Sequence, residues 1–88
     1  MHAVVVTVTI NDFQQGKAFL DEQVVPRVSQ APGFVAGYWV RVEENTGNSV
    51  IVFESEDAAR QMADQIQTPP PEAATIESVT VGEVVAHA

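Results

Sequence analysis

The apolar positions of the chain switch period several times, and each switch marks an element. His2–Ile10 (HAVVVTVTI) is dense in β-branched residues and alternates imperfectly, which predicts a strand buried on both faces. Its even positions, Val4, Val6, Val8 and Ile10, are all aliphatic, whereas Ala3, Val5, Thr7 and Thr9 grow more polar along the strand. Asn11 and Asp12 are natural caps, so a helix is expected from there to about Ser29. Phe13, Leu20, Val24 and Val28 share one stripe with Phe19 close by, while Lys17, Asp21 and Glu22 fall off it. Pro26 predicts a kink or a restart in the last turn, and Pro32-Gly33 ends the segment.

Phe34–Glu43 returns to strand spacing, with Phe34, Ala36, Tyr38, Val40 and Val42 on one face and Val35, Gly37, Trp39, Arg41 and Glu43 on the other. A turn over Glu44–Asn48 with Gly47 left-handed leads into a third strand, Asn48–Glu54. Pairing Glu44 with Asn48 would set Trp39 opposite Phe53, Arg41 opposite Ile51 and Val42 opposite Val50. Ser55 caps a second helix, Glu56 and Asp57 suit its first turn, and Ala59, Met62, Ala63 and Ile66 form its apolar stripe. The TPPPE run from Thr68 to Glu72 predicts a stiff extended linker. Ala74–Ala86 reads as a fourth strand anchored by Ile76, Val79, Val81, Val84 and Val85.

The order β-α-β-β-α-β favours one ferredoxin-like α+β domain over residues 1–88. It has a four-stranded antiparallel sheet in order 4-1-3-2 with both helices on one face. Two helices cover only one face, yet both faces of this sheet carry large apolar residues. A bare aliphatic face of that size predicts a homodimer, sheet against sheet. The expected partner face is Val4, Val6, Val8, Val40, Val42, Val50 and Val52.

Composition narrows the function. Twelve acids against four bases give a net charge of −8, and Lys17, Arg27, Arg41 and Arg60 are scattered, so no nucleic-acid partner is expected. No apolar run approaches a membrane span, and no basic segment leads into a signal-like stretch, so a soluble cytoplasmic protein is expected. The chain has no cysteine. No nucleophile–base pair or phosphate loop is visible, and the two histidines, His2 and His87, fall short of a metal set, so no metal is expected.

Pro32-Gly33-Phe34 with Gly37, and Phe53-Glu54-Ser55-Glu56-Asp57-Ala58 at the strand-to-helix joint, resemble the dimeric α+β barrel superfamily. The closest similarity is to its antibiotic-biosynthesis-monooxygenase-like branch, over roughly Val4 to Ile66, including uncharacterised actinobacterial members. The resemblance implies a cavity between the helices and the sheet of each subunit. Haem-degrading members of that branch hold asparagine, tryptophan and histidine where this chain has Thr7, Phe53 and about Ala63. None of the three is kept, so there is no axial ligand for haem and no cofactor is expected. The resemblance also implies that Thr7, Trp39 and Phe53 look at the helices while the valine face meets the partner; the pattern alone permits the reverse.

The candidate ligand-binding residues are Thr7, Tyr38, Trp39, Arg41 and Phe53. Trp39 and Phe53 would wall an aromatic pocket or simply fill the core. Tyr38 would donate to a phenolic substrate or wet its hydroxyl at an interface. Arg41 would pair with a carboxylate ligand or with Glu43. No catalytic residue is assigned. Two functions compete: a cofactor-independent monooxygenase-like enzyme acting on a small apolar or aromatic substrate, and a non-catalytic ligand-binding or assembly module.

Overall fold

Pairing decides which valines become core. The computed structural model describes residues 1–88 and contains β1 (His2–Ile10), β2 (Phe34–Val42), β3 (Thr46–Phe53) and β4 (Ala74–Glu83) in one antiparallel sheet of order β2-β3-β1-β4. That is the expected 4-1-3-2 arrangement of a ferredoxin-like fold, with the helices on one side. Residues directly opposite in an antiparallel pair point to the same face. Val4 lies opposite Ile51, and Val6 opposite Ser49, so the even positions of β1 share a face with the odd positions of β3. The odd positions of β2 join them, Gly37 opposite Ile51 and Trp39 opposite Ser49.

The helix-facing side therefore carries Val4, Val6, Ile51 and Phe53 as its buried centre, with Val28, Ala59 and Met62 above them. The other side carries Val5, Thr7, Tyr38, Val40, Val42, Val50 and Val52. This corrects the expected partner face. Val40, Val42, Val50 and Val52 lie on the open side, but Val4, Val6 and Val8 lie under the helices, and Val4 has no exposure at all. Thr7 and Val5 face away from the helices, contrary to expectation.

The β2–β3 hairpin turns two residues earlier than its composition predicts, with a loop of the same length. Val42 pairs with Thr46, so the loop is Glu43–Asn45 and β3 starts two residues early. The left-handed residue is Glu43 (φ 59°), not Gly47. Gly47 is buried for a different reason: a Cβ there would stand 2.8 Å from Val8 Cγ2. The shift by four residues keeps the faces but changes the neighbours. Phe53 meets Phe34 edge-on, with centroids 6.1 Å apart and planes at 77°, rather than Trp39.

The helical layer is built from two unlike parts. The first part is α1 (Phe13–Phe19), a π-helical segment (Leu20–Val24) and α2 (Val25–Ser29). Asp12 caps α1, its carboxylate accepting from the Gln15 N–H at 3.2 Å. Pro26 explains the interruption. A proline in an unbroken α-helix crowds the carbonyl four residues back. Here Val25 N–H reaches Leu20 O, a five-residue step that widens the turn ahead of the ring, and Pro26 then sits in the first turn of α2.

The second part, α3 (Glu56–Asp64), is capped by Ser55 Oγ, which accepts from the Ala58 N–H at 3.1 Å. Arg60 donates to Glu56 at 2.6 Å and holds that carboxyl below its usual range. Ala59 and Met62 are buried against the sheet. Gly33 (φ 81°) closes the joint: its carbonyl accepts from Glu54 N–H at 2.8 Å, and a Cβ would come within 3.1 Å of the Ala58 methyl. The proline run stays extended to Pro70, then turns. Ala73 N–H donates to Pro70 O, and Ala73 O accepts from Asn11 and Asp12, which seats the start of β4 beside the start of α1. β4 ends at Glu83, three residues short of the expected Ala86.

Phe53 is the largest side chain with no exposure, so Phe53→Ala is expected to cost about 3–5 kcal/mol. Against a total stability of roughly 5–15 kcal/mol the variant should be near its folding limit. Urea titration followed by circular dichroism should show the midpoint falling steeply, whereas Val85→Ala, at a fully solvated position beyond β4, should shift it little.

Candidate functional site

The two helical parts approach the sheet differently. The buried residues of α3 are an alanine and a methionine, and this helix packs directly on β1, β3 and β4. The α1–π segment presents Phe13, Phe19, Leu20 and Val24 instead, and a cavity of about 260 Å³ remains beneath it. The floor of the cavity is Val6, Val8, Ile51 and Trp39, and Ile66 and Ile76 line it further. Ser49 sits in the middle of this floor, between Trp39 on β2 and Val6 on β1. A polar residue with so small a side chain, set among Val6, Ile51 and Trp39, keeps the space open.

Trp39 owes its pose to Gly37. The two residues share a face of β2, and the indole lies back across the glycine: a Cβ there would be 2.8 Å from the ring. Without a side chain at 37 the ring can lie along the strand instead of standing into the cavity.

Arg41, also on this face of β2, stands over the Phe13 ring with its guanidinium carbon 4.1 Å from the centroid. Its Nε donates to the Glu44 carbonyl at 3.2 Å, not to the expected Glu43 carboxylate. Lys17 lines the cavity from α1 and pairs with Asp21 one turn on. None of the twelve acidic side chains is among the lining residues. Gln67 closes one end; with its amide nitrogen turned toward the Gln23 carbonyl (2.9 Å), its oxygen accepts from Arg27 at 2.9 Å.

The five candidate residues thus separate. Trp39 and Arg41 line the cavity. Phe53 lies on the same face but is sealed in the core under α3. Thr7 and Tyr38 are on the opposite face, where the Thr7 hydroxyl donates to Asn48 Oδ1 at 3.1 Å and Tyr38 is 66% exposed. Phe13, Lys17, Ser49 and Gln67 were not singled out from the sequence. Phe13 and Lys17 have a legible signal, since Phe13 opens the apolar stripe of the first helix and Lys17 lies off it; Ser49 becomes visible only with the register.

Haem does not fit these residues. Thr7 faces away from the cavity, Phe53 is fully enclosed and Ala63 offers no ligand. His2 sits on the helix side of β1, directly opposite Phe53 and away from the cavity lining, and its Nδ1 is buried with no partner. The structure contains no cluster of three metal-ligating side chains and no helix long and apolar enough to cross a membrane.

No family model and no curated protein matches the chain. Among solved structures, the chain is similar to a dimeric ferredoxin-like protein from an uncultured marine organism, with a TM-score of 0.59 and 15% identity, over 99% of this chain and 97% of that one. At that identity the likeness is one of fold: both chains, over nearly their whole length, share the ferredoxin-like βαββαβ architecture.

Proposed function

We propose that the protein is a homodimeric small-molecule-binding protein of the dimeric α+β barrel kind, and that its ligand is an apolar compound of one or two rings held between the α1–π segment and the sheet. The cavity carries this reading. A dry apolar cavity of ~150 Å³ already accepts benzene, and about 260 Å³ walled by Trp39, Phe13 and aliphatic side chains offers room for a larger ring system.

The dimer rests on the opposite face. Val5, Tyr38, Val40, Val42 and Val50 are each 39% exposed or more, and they form one contiguous patch with Val52. A monomer would leave that patch in water. The similar marine protein is described as dimeric, which favours the same arrangement here.

A second reading, cofactor-independent oxygenation in the manner of the monooxygenase-like branch, is favoured by the two cations on a mostly apolar cavity. They would stabilise the carbanion of an activated methylene, which would reduce dioxygen, one oxygen atom entering the product as a carbonyl and the other leaving as water. No histidine or carboxylate lines the cavity to take the proton, so only an acidic substrate would serve. An oxygen-electrode screen of quinols and phenols separates the two readings. Uptake lost in Trp39→Ala supports turnover, and binding without uptake leaves a binding protein.

Two variants test the main reading. Ser49→Leu should fill the cavity floor, hold or raise the melting temperature, and abolish binding of bicyclic aromatics in calorimetry; unchanged binding would remove the cavity from the argument. Val50→Asp places a charge in the middle of the open face. The wild type should sediment at twice the 9.5 kDa of the chain and this variant at 9.5 kDa. A wild type that is monomeric at micromolar concentration would end the dimer.

A further inference from the structure

The cavity differs from the rest of the molecule in its charge. The chain carries −8, with acids three times as numerous as bases, yet both ionised side chains on the cavity are cations, Lys17 and Arg41. They enter from different elements, α1 and β2. Arg41 is the better placed. Its stacking on Phe13 and the bond from Nε to the Glu44 carbonyl fix the guanidinium, and that bond is the only one its side chain makes in the protein. The two terminal nitrogens are left as a fork of free donors. A planar fork of this kind matches a carboxylate, which accepts two parallel hydrogen bonds from it. Lys17 is committed only to an exposed pair with Asp21, a bond of small net worth that an incoming anion can replace.

We infer that the cavity takes a compact aromatic carboxylate, its ring over Trp39 and its carboxylate on Arg41 with Lys17 beside it. This rests on the cavity being the ligand site and adds the charge of the ligand. An uncharged ring would leave the Arg41 fork unused; a cation would meet two like charges. The ring end and the acid end also fit the order of the lining, apolar on the floor and charged where exposed Arg41 and half-exposed Phe13 meet solvent.

The chain has one tryptophan, so its single indole N–H resonance reports this site alone. Titration with 2-naphthoate and with the neutral 2-naphthamide, followed by that resonance, should show both binding and the acid binding about tenfold more tightly, the scale of one charge-assisted hydrogen-bond pair. Arg41→Gln should bring the acid affinity down to that of the amide, Arg41→Lys should keep part of the preference, and raised salt should weaken only the acid. Equal affinity for acid and amide in the wild type, or a preference that survives Arg41→Gln, overturns the inference but leaves the cavity as a site for neutral rings. If neither compound moves the indole resonance, the inference and the cavity reading fail together. Arg41 is exposed, so the variants should fold, and the amide titration doubles as the check.

Discussion

The β1–β3 register is the constraint on which the rest depends. Pairing Val4 with Ile51 joins an even position to an odd one, and every later assignment follows. It sends the three aliphatic residues Val4, Val6 and Val8 inward and leaves Val5 and Thr7 outside. A slip of one residue would bring Val5 and Thr7 under the helices and turn Val4 and Val6 outward, with the loss of two buried valines from a core of seven. Gly47 helps to hold the register, because Val8 fits only against a position without a Cβ. The outward consequence is as large as the inward one. With the long aliphatics of β1 used in the core, the open face is built chiefly by β2 and β3, around Tyr38, Val40 and Val50.

The unequal helical parts turn this sheet into a site. α3 is capped at Ser55 and brings Ala59 close to the strands, so its half of the sheet is closed. The α1–π segment faces the other half with longer side chains and a widened turn set by Pro26. Because the turn is widened where Leu20 and Val24 line the cavity, the same proline that interrupts the helix also shapes the wall. Small residues complete the effect from below: Ser49 leaves depth, Gly47 lets Val8 settle against the sheet, and Gly37 lets the indole lie flat. The space is thus a property of several elements, each satisfied locally.

Much of the fold was legible because its signals are local. Asp12 and Ser55 announced both helices, Pro26 announced a restart, and the order of elements limited the topology to one economical choice. The division of β2 and β3 into faces was legible too, since period-two alternation survives any even shift of register. What could not be read was the phase of β1 relative to β3, because that depends on a pairing across forty-odd residues and both of its faces begin apolar. Thr7 and Val4 were exchanged for that reason. The hairpin departs from its pattern because Gly47 advertises a turn, while Glu43 takes the left-handed conformation and Gly47 is needed for packing. Trp39 and Arg41 were found on the correct face; Tyr38 and Thr7 were grouped with them by chemistry and separated by geometry.

A net charge of −8 does not forbid an anionic ligand. At physiological ionic strength the field of an exposed charge is largely screened beyond about 8 Å, so the acids on the far faces act mainly on the rate of approach and the nearest groups act on affinity. Here the charged side chains on the cavity are Arg41 and Lys17, and Asp21 is paired with Lys17. Diffuse negative charge would slow encounter with every anion alike, whereas the fixed fork of Arg41 acts only on one whose ring already fits beside Trp39. In such a molecule the surface charge governs how fast an acid arrives and the cavity governs which acid stays.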